Sequence, residues 1–166
     1  FLPGAGEIRR VVAELGAGLA ADEFSVIPLY GDLAAAEQDA ALRVDARGRR
    51  KVVVATNIAE TSLTIDGVRI VVDSGVERRQ RFDPTTGMSR LETVRISRSS
   101  ADQRRGRAGR TAPGNCYRLW SESANDSLLP QAPAEILEAD LAPLALELAC
   151  WGSLDPETLA WLDPPP

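Results

Sequence analysis

Lys51-Val52-Val53-Val54-Ala55 is a continuous run of β-branched residues, and it is the stretch that decides the fold. Continuous apolar strands lying between helices are typical of a parallel sheet that is buried on both faces. Arg69-Ile70-Val71-Val72-Asp73 has the same character, and residues 24–30 make a third short apolar strand. We therefore predict an α/β fold that is built on parallel strands.

Two helical segments accompany these strands. In residues 6–19 the apolar side chains recur at helical spacing, as expected of an amphipathic helix packed on a sheet: Ile8, Val11, Val12, Leu15 and Leu19. Residues 34–44 form a second, alanine-rich helical segment. Phe1-Leu2-Pro3-Gly4 has the character of a strand end followed by a turn, and we expect the chain to be a piece of a longer polypeptide.

The central strand is followed by a polar stretch, Thr56-Asn57-Ile58-Ala59-Glu60-Thr61-Ser62-Leu63-Thr64-Ile65-Asp66-Gly67. Its hydroxyl, amide and carboxylate groups follow the carboxyl end of a strand, which is where ligands bind in open α/β sheets. The alternative is a capped turn, since the same side chains also satisfy local backbone groups. The sequence alone leaves both possibilities open.

Residues 76–82 and 88–96 are two polar strand candidates, and Asp83-Pro84-Thr85-Thr86-Gly87 between them has the composition of a hairpin loop. The predicted hairpin carries four arginines: Arg78, Arg79, Arg81 and Arg90. Such a protruding basic element can meet a phosphate backbone without reading its sequence. The alternative is a solvated hairpin that only covers a sheet edge.

Ser99-Ser100-Ala101-Asp102-Gln103-Arg104-Arg105-Gly106-Arg107-Ala108-Gly109-Arg110 is the most informative stretch for function. The serines and Asp102 suit a helix N-cap and first turn. If residues 102–108 are helical, Gln103, Arg107 and Arg110 lie on one face. Guanidinium groups match phosphate oxygens two at a time, so this face is suited to a polyphosphate. Gly106 and Gly109 would leave room for a close neighbour or a ligand.

A solvated basic helix or a disordered arginine- and glycine-rich tail is the alternative for this stretch. Net charge over the whole chain is −5, but residues 78–110 hold 10 basic and 3 acidic side chains. Residues 1–77 hold 8 and 12, and residues 111–166 hold 1 and 9. A basic region between acidic flanks indicates a localised anion-binding surface.

The last third of the chain is predicted to close one domain and begin another. Residues 115–120 form a closing strand, residues 122–133 a linker, and residues 134–151 an apolar helix ended by Gly152. The expected domains are therefore 1–121 and a truncated one at 134–166. Two cysteines and no histidine argue against a disulfide framework or a zinc site, and indicate a reducing, cytoplasmic location. No apolar run is long enough to cross a bilayer.

Three stretches resemble the second RecA-like domain of superfamily 2 helicases of the DEAH/RHA type. Phe1-Leu2-Pro3-Gly4 is similar to their motif IV, residues 56–67 to motif V and its extension, and residues 103–110 to motif VI. The arginine-bearing hairpin lies between the last two, as it does in that family. Residues 133–151 resemble the start of the winged-helix domain that follows. The expected fold is therefore a RecA-like parallel sheet flanked by helices, with a protruding antiparallel hairpin and a helical start of a winged-helix domain.

The resemblance implies an ATP-dependent RNA helicase and a role for each motif. Gln103, Arg107 and Arg110 would reach the triphosphate across an interdomain cleft, with Arg107 or Arg110 as the arginine finger. Asp66 would bind the ribose or order the nucleotide. The backbone of single-stranded RNA would contact six residues: Gly4, Thr56, Asn57, Arg78, Arg79 and Arg81.

The sequence contains neither a Gly-x-x-x-x-Gly-Lys-Ser/Thr phosphate loop nor an Asp-Glu-Ala-His box. By the resemblance, the nucleotide is ATP or another NTP with Mg²⁺, and the metal ligands belong to an N-terminal RecA-like lobe of the same polypeptide. The fragment alone is then expected to be inactive, with no metal site of its own. Two other classes remain open: a nucleic-acid-binding module without nucleotide chemistry, and a protein-interaction domain that uses the acidic tail.

Overall fold

A computed structural model describes residues 1–61 and 65–166 and divides the chain into two compact units. The first unit contains Phe1–Glu77 and Thr93–Gln131, and the second contains Arg78–Glu92 and Ala132–Pro166. Ser62, Leu63 and Thr64, which belong to the polar stretch after the central strand, lie outside the described residues.

The elements alternate along the chain as an α/β fold requires. The first part of the chain holds α1 (Ala5–Gly18), β1 (Phe24–Leu29), α2 (Ala35–Leu42), β2 (Arg50–Ala55), a 3₁₀ turn (Asn57–Ala59) and β3 (Ile70–Asp73). The strands β4 (Val76–Asp83) and β5 (Met88–Arg95) follow. The rest comprises α3 (Arg98–Gly106), β6 (Asn115–Arg118), α4 (Glu122–Asp126), a 3₁₀ turn (Glu135–Leu137), α5 (Ala142–Trp151) and a last 3₁₀ turn (Pro156–Thr158).

Strands β1 and β2 form a parallel pair that is covered on both faces, as their apolar sequences predict. Val26 pairs with Val52, and Leu29 pairs with Ala55. On one face Val54 packs with Ile8, and Val11, Val12 and Leu15 of α1 lie against this cluster. On the other face Leu29 and Ala55 pack against Ala41 of α2. The predicted amphipathic stripe of the first helix is therefore confirmed.

Lys51 of β2 caps the carboxyl end of α2. Helix α2 has no basic residue in its last turn, but Lys51 Nζ donates hydrogen bonds to the carbonyl oxygens of Ala41 (2.6 Å) and Arg43 (2.8 Å). These bonds satisfy carbonyl groups that a helix end leaves without partners. Partial burial lowers the pKa of Lys51, and the charges of Asp45 and Asp66 act in the opposite direction.

Phe1 and Leu2 lie between two strands, as the strand-like character of the first residues predicts. Leu2 N donates to Ala55 O of β2 (2.8 Å), whereas Phe1 O accepts from Ser74 N, which directly follows β3 (3.3 Å). On the far side of β3 lies β6, which is parallel to it, with Val72 paired to Tyr117. The two parallel pairs are thus joined through Phe1 and Leu2 within the first unit.

Burial of β3 differs from the prediction that it is buried on both faces. Val71 and Asp73 are buried, but Ile70 and Val72 remain 53% and 48% exposed. Helix α3 packs on β3, whereas α1 and α2 pack on β1 and β2. A continuous apolar run predicts a strand, but it does not predict whether helices pack on one face of that strand or on both.

The stretch predicted to be a linker is folded through Gln131. It includes α4, whose N-cap Ser121 accepts a hydrogen bond from Ala124 N. Leu128 is buried against Ile96 and Ala101. The sequence suggested a linker because serine, asparagine and proline are common in loops, but they also serve as helix caps and boundaries. The structural unit accordingly extends beyond residue 121, and the evolutionary domain boundaries stay a prediction.

The second unit contains the loop end of the β4–β5 hairpin and the C-terminal helices. Phe82 N donates to Glu138 O (2.9 Å). Helix α5 starts at Ala142, later than predicted, because Pro143 fits only the first turn of a helix. Gly152 ends the helix in the left-handed conformation (φ 97°), as predicted. The winged-helix assignment of this part stays a prediction.

The predicted α/β class, with parallel strands and an antiparallel hairpin, is confirmed. Within residues 1–61 and 65–166 no helix is long and apolar enough to span a membrane.

Candidate functional site

The polar turn after β2 lies at the carboxyl end of a parallel strand. Thr56 N donates to Leu29 O (3.1 Å), which places Thr56 directly beyond the β1–β2 pair. Asn57, the next residue, is exposed. Thr56 occupies the N-cap position of the 3₁₀ turn but forms no side-chain capping hydrogen bond there. The ligand-edge prediction and the capped-turn alternative for residues 56–67 both stay predictions.

Gly4 stands beside this edge. Leu2 N is bonded to Ala55 O at the end of β2, and Gly4 two residues later is the buried N-cap of α1. The Gly4 turn and the Thr56 turn therefore leave the sheet from neighbouring strand positions. The structure brings together three of the predicted RNA-contacting residues: Gly4, Thr56 and Asn57.

The arginine helix is shifted relative to its prediction. Helix α3 spans Arg98–Gly106, and its N-cap is Ser97, whose side chain accepts from Ser100 N (3.1 Å). Ser99 and Ser100 therefore belong to the first turn. Any of the three serines satisfies the capping preference, so composition could not choose among them.

Gln103 and Arg107 keep the predicted spacing of one turn, but Arg110 does not continue their helical face. Gln103 is exposed on α3, Arg107 is the C-cap residue, and Arg110 lies in the exposed bend that follows. The prediction that Gln103, Arg107 and Arg110 share one helical face is therefore wrong for Arg110, which lies outside α3. The helix ends early because Gly106 and Gly109 are poor helix formers.

The charge of Arg110 nevertheless acts on Arg107. Burial is the main cause that lowers the pKa of Arg107, the charge of Arg110 lowers it further, and Glu60 opposes both. Arg107 Nη2 donates to the carbonyl oxygens of Glu60 and Thr61, the second at 3.0 Å. The arginine segment is thus attached to the polar turn after β2 through Arg107.

Arg104, a buried arginine that lies beside the candidate site, was not identified from the sequence. Its side chain is 1% exposed and is paired with three carboxylates. Nε donates to Glu60 Oε2 (2.9 Å), Nη1 donates to Asp73 Oδ1 (3.0 Å), and Nη2 lies 3.5 Å from Glu77 Oε2. The guanidinium also lies over the Phe1 ring, 5.0 Å from its centroid.

The sequence carries only a weak local signal for Arg104. Ala101 of α3 is buried, and Arg104 follows it at the spacing that places it on the same side of the helix. An arginine one turn after a small apolar residue is a candidate for a buried, paired cation, but the sequence of the helix does not reveal its partners.

Asp66 is not brought to the arginine pair by any contact among the described residues. It is exposed, and its charge acts on Lys51, at the beginning of β2. Its predicted role toward a nucleotide stays a prediction.

The hairpin arginines are mostly paired with acidic side chains. Arg79 Nη1 lies 3.4 Å from Glu138 Oε2, Arg81 Nη1 lies 3.9 Å from Glu92 Oε2, and Arg90 Nη2 lies 2.7 Å from Asp83 Oδ2. Arg78 is exposed. The pairs of Arg81 and Arg90 are exposed and contribute little free energy, whereas the pair of Arg79 is partly buried.

Among the described residues there is no cluster of three or more histidine, cysteine, aspartate or glutamate side chains that could hold a metal ion.

Residues 7–112 match the family model described as the helicase conserved C-terminal domain. This chain belongs to that family. It is 49% identical over its whole length to the ATP-dependent RNA helicase HrpB of Escherichia coli strain K12, of which it covers 20%. It is 44% identical over its whole length to the probable ATP-dependent RNA helicase DHX34 of Mus musculus, covering 15% of that protein. Over 87% of its own length this chain is 46% identical to the pre-mRNA-splicing factor ATP-dependent RNA helicase prp22 of Schizosaccharomyces pombe, and it covers 12% of that protein.

The solved structures agree with the sequence relatives. The crystal structure of Escherichia coli DEAH/RHA helicase HrpB superimposes on all of this chain with a TM-score of 0.93 at 49% identity, and this chain covers 21% of it. The resemblance to the DEAH/RHA type is therefore confirmed. The chain spans about a fifth or less of the length of these relatives.

Proposed function

We propose that this chain is the C-terminal lobe of an ATP-dependent DEAH-type RNA helicase. In this proposal it supplies an arginine finger and contacts to the RNA backbone, while hydrolysis of the nucleotide drives unwinding or translocation. The observation that carries the proposal is the attachment of Arg107 to the turn after β2, through the carbonyl oxygens of Glu60 and Thr61. It joins the predicted nucleotide-binding and RNA-binding segments within one unit.

The arginine pair fits the transition state of phosphoryl transfer. Negative charge is spread over the γ-phosphoryl oxygens in that state, and preplaced guanidinium groups stabilise it. Arg107 is held by two carbonyl oxygens and Arg110 lies exposed nearby. We assign the finger to this pair, with Gln103 as a neighbouring hydrogen-bonding group. Asp66 is proposed to bind the ribose or to order the nucleotide.

Phosphate binding by these residues requires a second protein surface. The sequence has neither a phosphate loop nor an Asp-Glu-Ala-His box, so the phosphate-binding lysine and the ligands for Mg²⁺ are proposed to come from an N-terminal RecA-like lobe of the same polypeptide. The isolated chain is then expected to be inactive. Cys116 and Cys150 are free thiols, which is typical of proteins in a reducing cytoplasm.

The RNA contacts are proposed to be of two kinds. Gly4, Thr56 and Asn57 would bind the backbone of a single strand at the edge of the sheet. Arg78, Arg79 and Arg81 would add charge contacts from the hairpin. Contacts of both kinds go to phosphate and sugar and therefore carry no sequence preference.

The test is the substitution Arg110→Ala in the full-length parent protein. RNA-stimulated ATPase activity is expected to be abolished while the melting temperature stays unchanged, because Arg110 is exposed and lies outside α3. Arg10→Ala is the matched control, since Arg10 is equally cationic and its side chain is 75% exposed on α1. Normal turnover of the Arg110 variant would remove that residue from the mechanism.

The alternative class, a nucleic-acid-binding module without nucleotide chemistry, is tested by substitutions in the hairpin and at Arg107. It predicts salt-dependent RNA binding that is lost on substitution of Arg78, Arg79 and Arg81 but is unaffected by Arg107→Ala.

A further inference from the structure

Glu60 is held by α3 in two independent ways. Its carboxylate accepts from Arg104 Nε, with Glu60 Oε2 at 2.9 Å, and its backbone carbonyl accepts from Arg107. The two arginines are three residues apart, so they project from neighbouring positions of the same helix end. One residue of the turn is therefore fixed through both its side chain and its main chain.

Glu60 is also bonded to the residues proposed to contact RNA. Its N–H donates to Asn57 O (2.9 Å), and Ala59 N donates to Thr56 O (3.3 Å). These bonds close the 3₁₀ turn. A displacement of Glu60 therefore displaces Asn57 and Thr56 as well.

Arg104 has anchors that do not depend on Glu60. Asp73 at the end of β3 and Glu77 in β4 both pair with it, and Val76 O accepts from Nη1 (3.3 Å). The guanidinium is buried, and separating a buried cation from its carboxylate leaves uncompensated charge. The turn, the helix and the two strands are thus locked together at Arg104.

We propose that Arg104 is a positioning residue, and that the Arg104–Glu60 pair couples the nucleotide-binding arginines to the RNA-binding turn. The inference rests on the proposed function and adds the pair that transmits binding between the two sites. A shift of the end of α3 when nucleotide binds Arg107 would then pass through Arg104 to the Glu60 carboxylate and on to Asn57 and Thr56, and RNA binding would act on α3 by the same route. Such coupling is a reciprocal ratio of affinities.

The experiment measures that ratio in the full-length parent protein. The dissociation constant of a fluorescent single-stranded RNA is determined with and without a non-hydrolysable ATP analogue and Mg²⁺. In the parent the two constants are expected to differ by at least about fivefold. In Glu60→Gln they are expected to differ by less than about twofold, while RNA and the analogue both still bind.

Glu77→Gln is the matched control. It neutralises another carboxylate on the same guanidinium, but Glu77 lies in β4 and not in the turn. It is expected to keep the ratio of the parent. If both variants lost the ratio equally, Arg104 would have only a structural role and the inference would be overturned.

Other outcomes separate the inference from the proposed function. If the parent and Glu60→Gln gave the same ratio, the inference would fail and the proposed function would stand. If the parent bound neither RNA nor the nucleotide analogue, both would fail. Should Glu60→Gln melt below the assay temperature, Glu60→Asp retains the charge on a shorter side chain. A reduced ratio in that variant supports the coupling, and the ratio of the parent overturns it.

Discussion

The indole ring of Trp120 lies directly against the backbone of Gly75. A Cβ atom added to Gly75 would stand 2.6 Å from Trp120 Cε3, and the residue has a φ of 76°. Gly75 connects β3 to β4, and its carbonyl oxygen accepts from Ile96 N (3.1 Å). Glycine is therefore required there both by the backbone conformation and by the space.

Gly75→Ala is expected to lower the free energy of unfolding by about 2 to 4 kcal/mol, combining the left-handed backbone cost with overpacking against the ring. The measurement is urea unfolding. Gly48→Ala is the control, because Gly48 also has a positive φ (70°) but nothing lies within 4 Å of its added Cβ. Equal losses in the two variants would mean that Trp120 moves away without cost.

The sequence predicted most of the elements because their apolar residues have clear periods. The stripe of α1 and the run in β2 correspond to observed helices and strands, and their packing partners follow from alternation in β1 and β2. It could not predict which faces are covered. Ile70 and Val72 are as apolar as Val53, yet they stay half-exposed.

The candidate site was only partly predictable for a related reason. Arg107 and Arg110 were identified from their charge and spacing, but Arg104 looks the same in sequence and has the opposite environment. Its burial depends on Glu60, Asp73 and Glu77, which lie 44, 31 and 27 positions before it. A pattern confined to one helix does not reveal such distant partners.

Neighbouring backbone atoms leave no room for a side chain at Gly114, whereas Gly106 and Gly109 have open space around them. A Cβ on Gly114 would lie 2.2 Å from Ala108 O and 2.5 Å from Arg69 O, whereas nothing lies within 4 Å of an added Cβ at Gly106 or Gly109. Backbone oxygens cannot rotate away, so Gly114→Ala is expected to lower the free energy of unfolding by about 1 to 3 kcal/mol. Thermal unfolding measures this loss.

Gly109→Ala provides the contrast. Its stability is expected to stay within about 0.5 kcal/mol of the unmodified chain. If a ligand approaches the backbone at this position, the same substitution lowers ATPase activity of the full-length parent with no loss of stability. Unchanged activity would show that no ligand comes close to Gly109.

Asp45 is expected to make the stability of the protein depend on acid pH. Hydrogen bonding by Arg49 is the main cause that lowers the pKa of Asp45 from 3.8 to about 2, and Arg49 Nη2 lies 2.9 Å from Asp45 Oδ2. A carboxylate whose pKa is lowered by folding stabilises the folded state above its unfolded pKa, and this contribution disappears as pH falls through the folded value.

The melting temperature should therefore decrease as the pH falls from about 4 to 2, and protonation of Asp45 should cause part of this decrease. Asp45→Asn cannot titrate, so its melting temperature is expected to fall less over this interval than that of the unmodified chain. Asp39→Asn is the control, because Asp39 forms a more exposed pair with Arg43. Parallel curves for all three proteins would contradict the assignment.

The hairpin arginines are expected to set the salt dependence of RNA binding. Each cation that neutralises a phosphate of a single strand contributes about 0.7 to the slope of the logarithm of the binding constant against the logarithm of salt concentration. In the full-length parent, Arg78→Gln combined with Arg81→Gln should therefore reduce the slope by about 1.4. Arg43→Gln removes a similarly exposed cation from the end of α2, and it should leave the slope unchanged. An unaltered slope in the hairpin variant would mean that these arginines do not face the RNA, and that β4 and β5 only cover an edge.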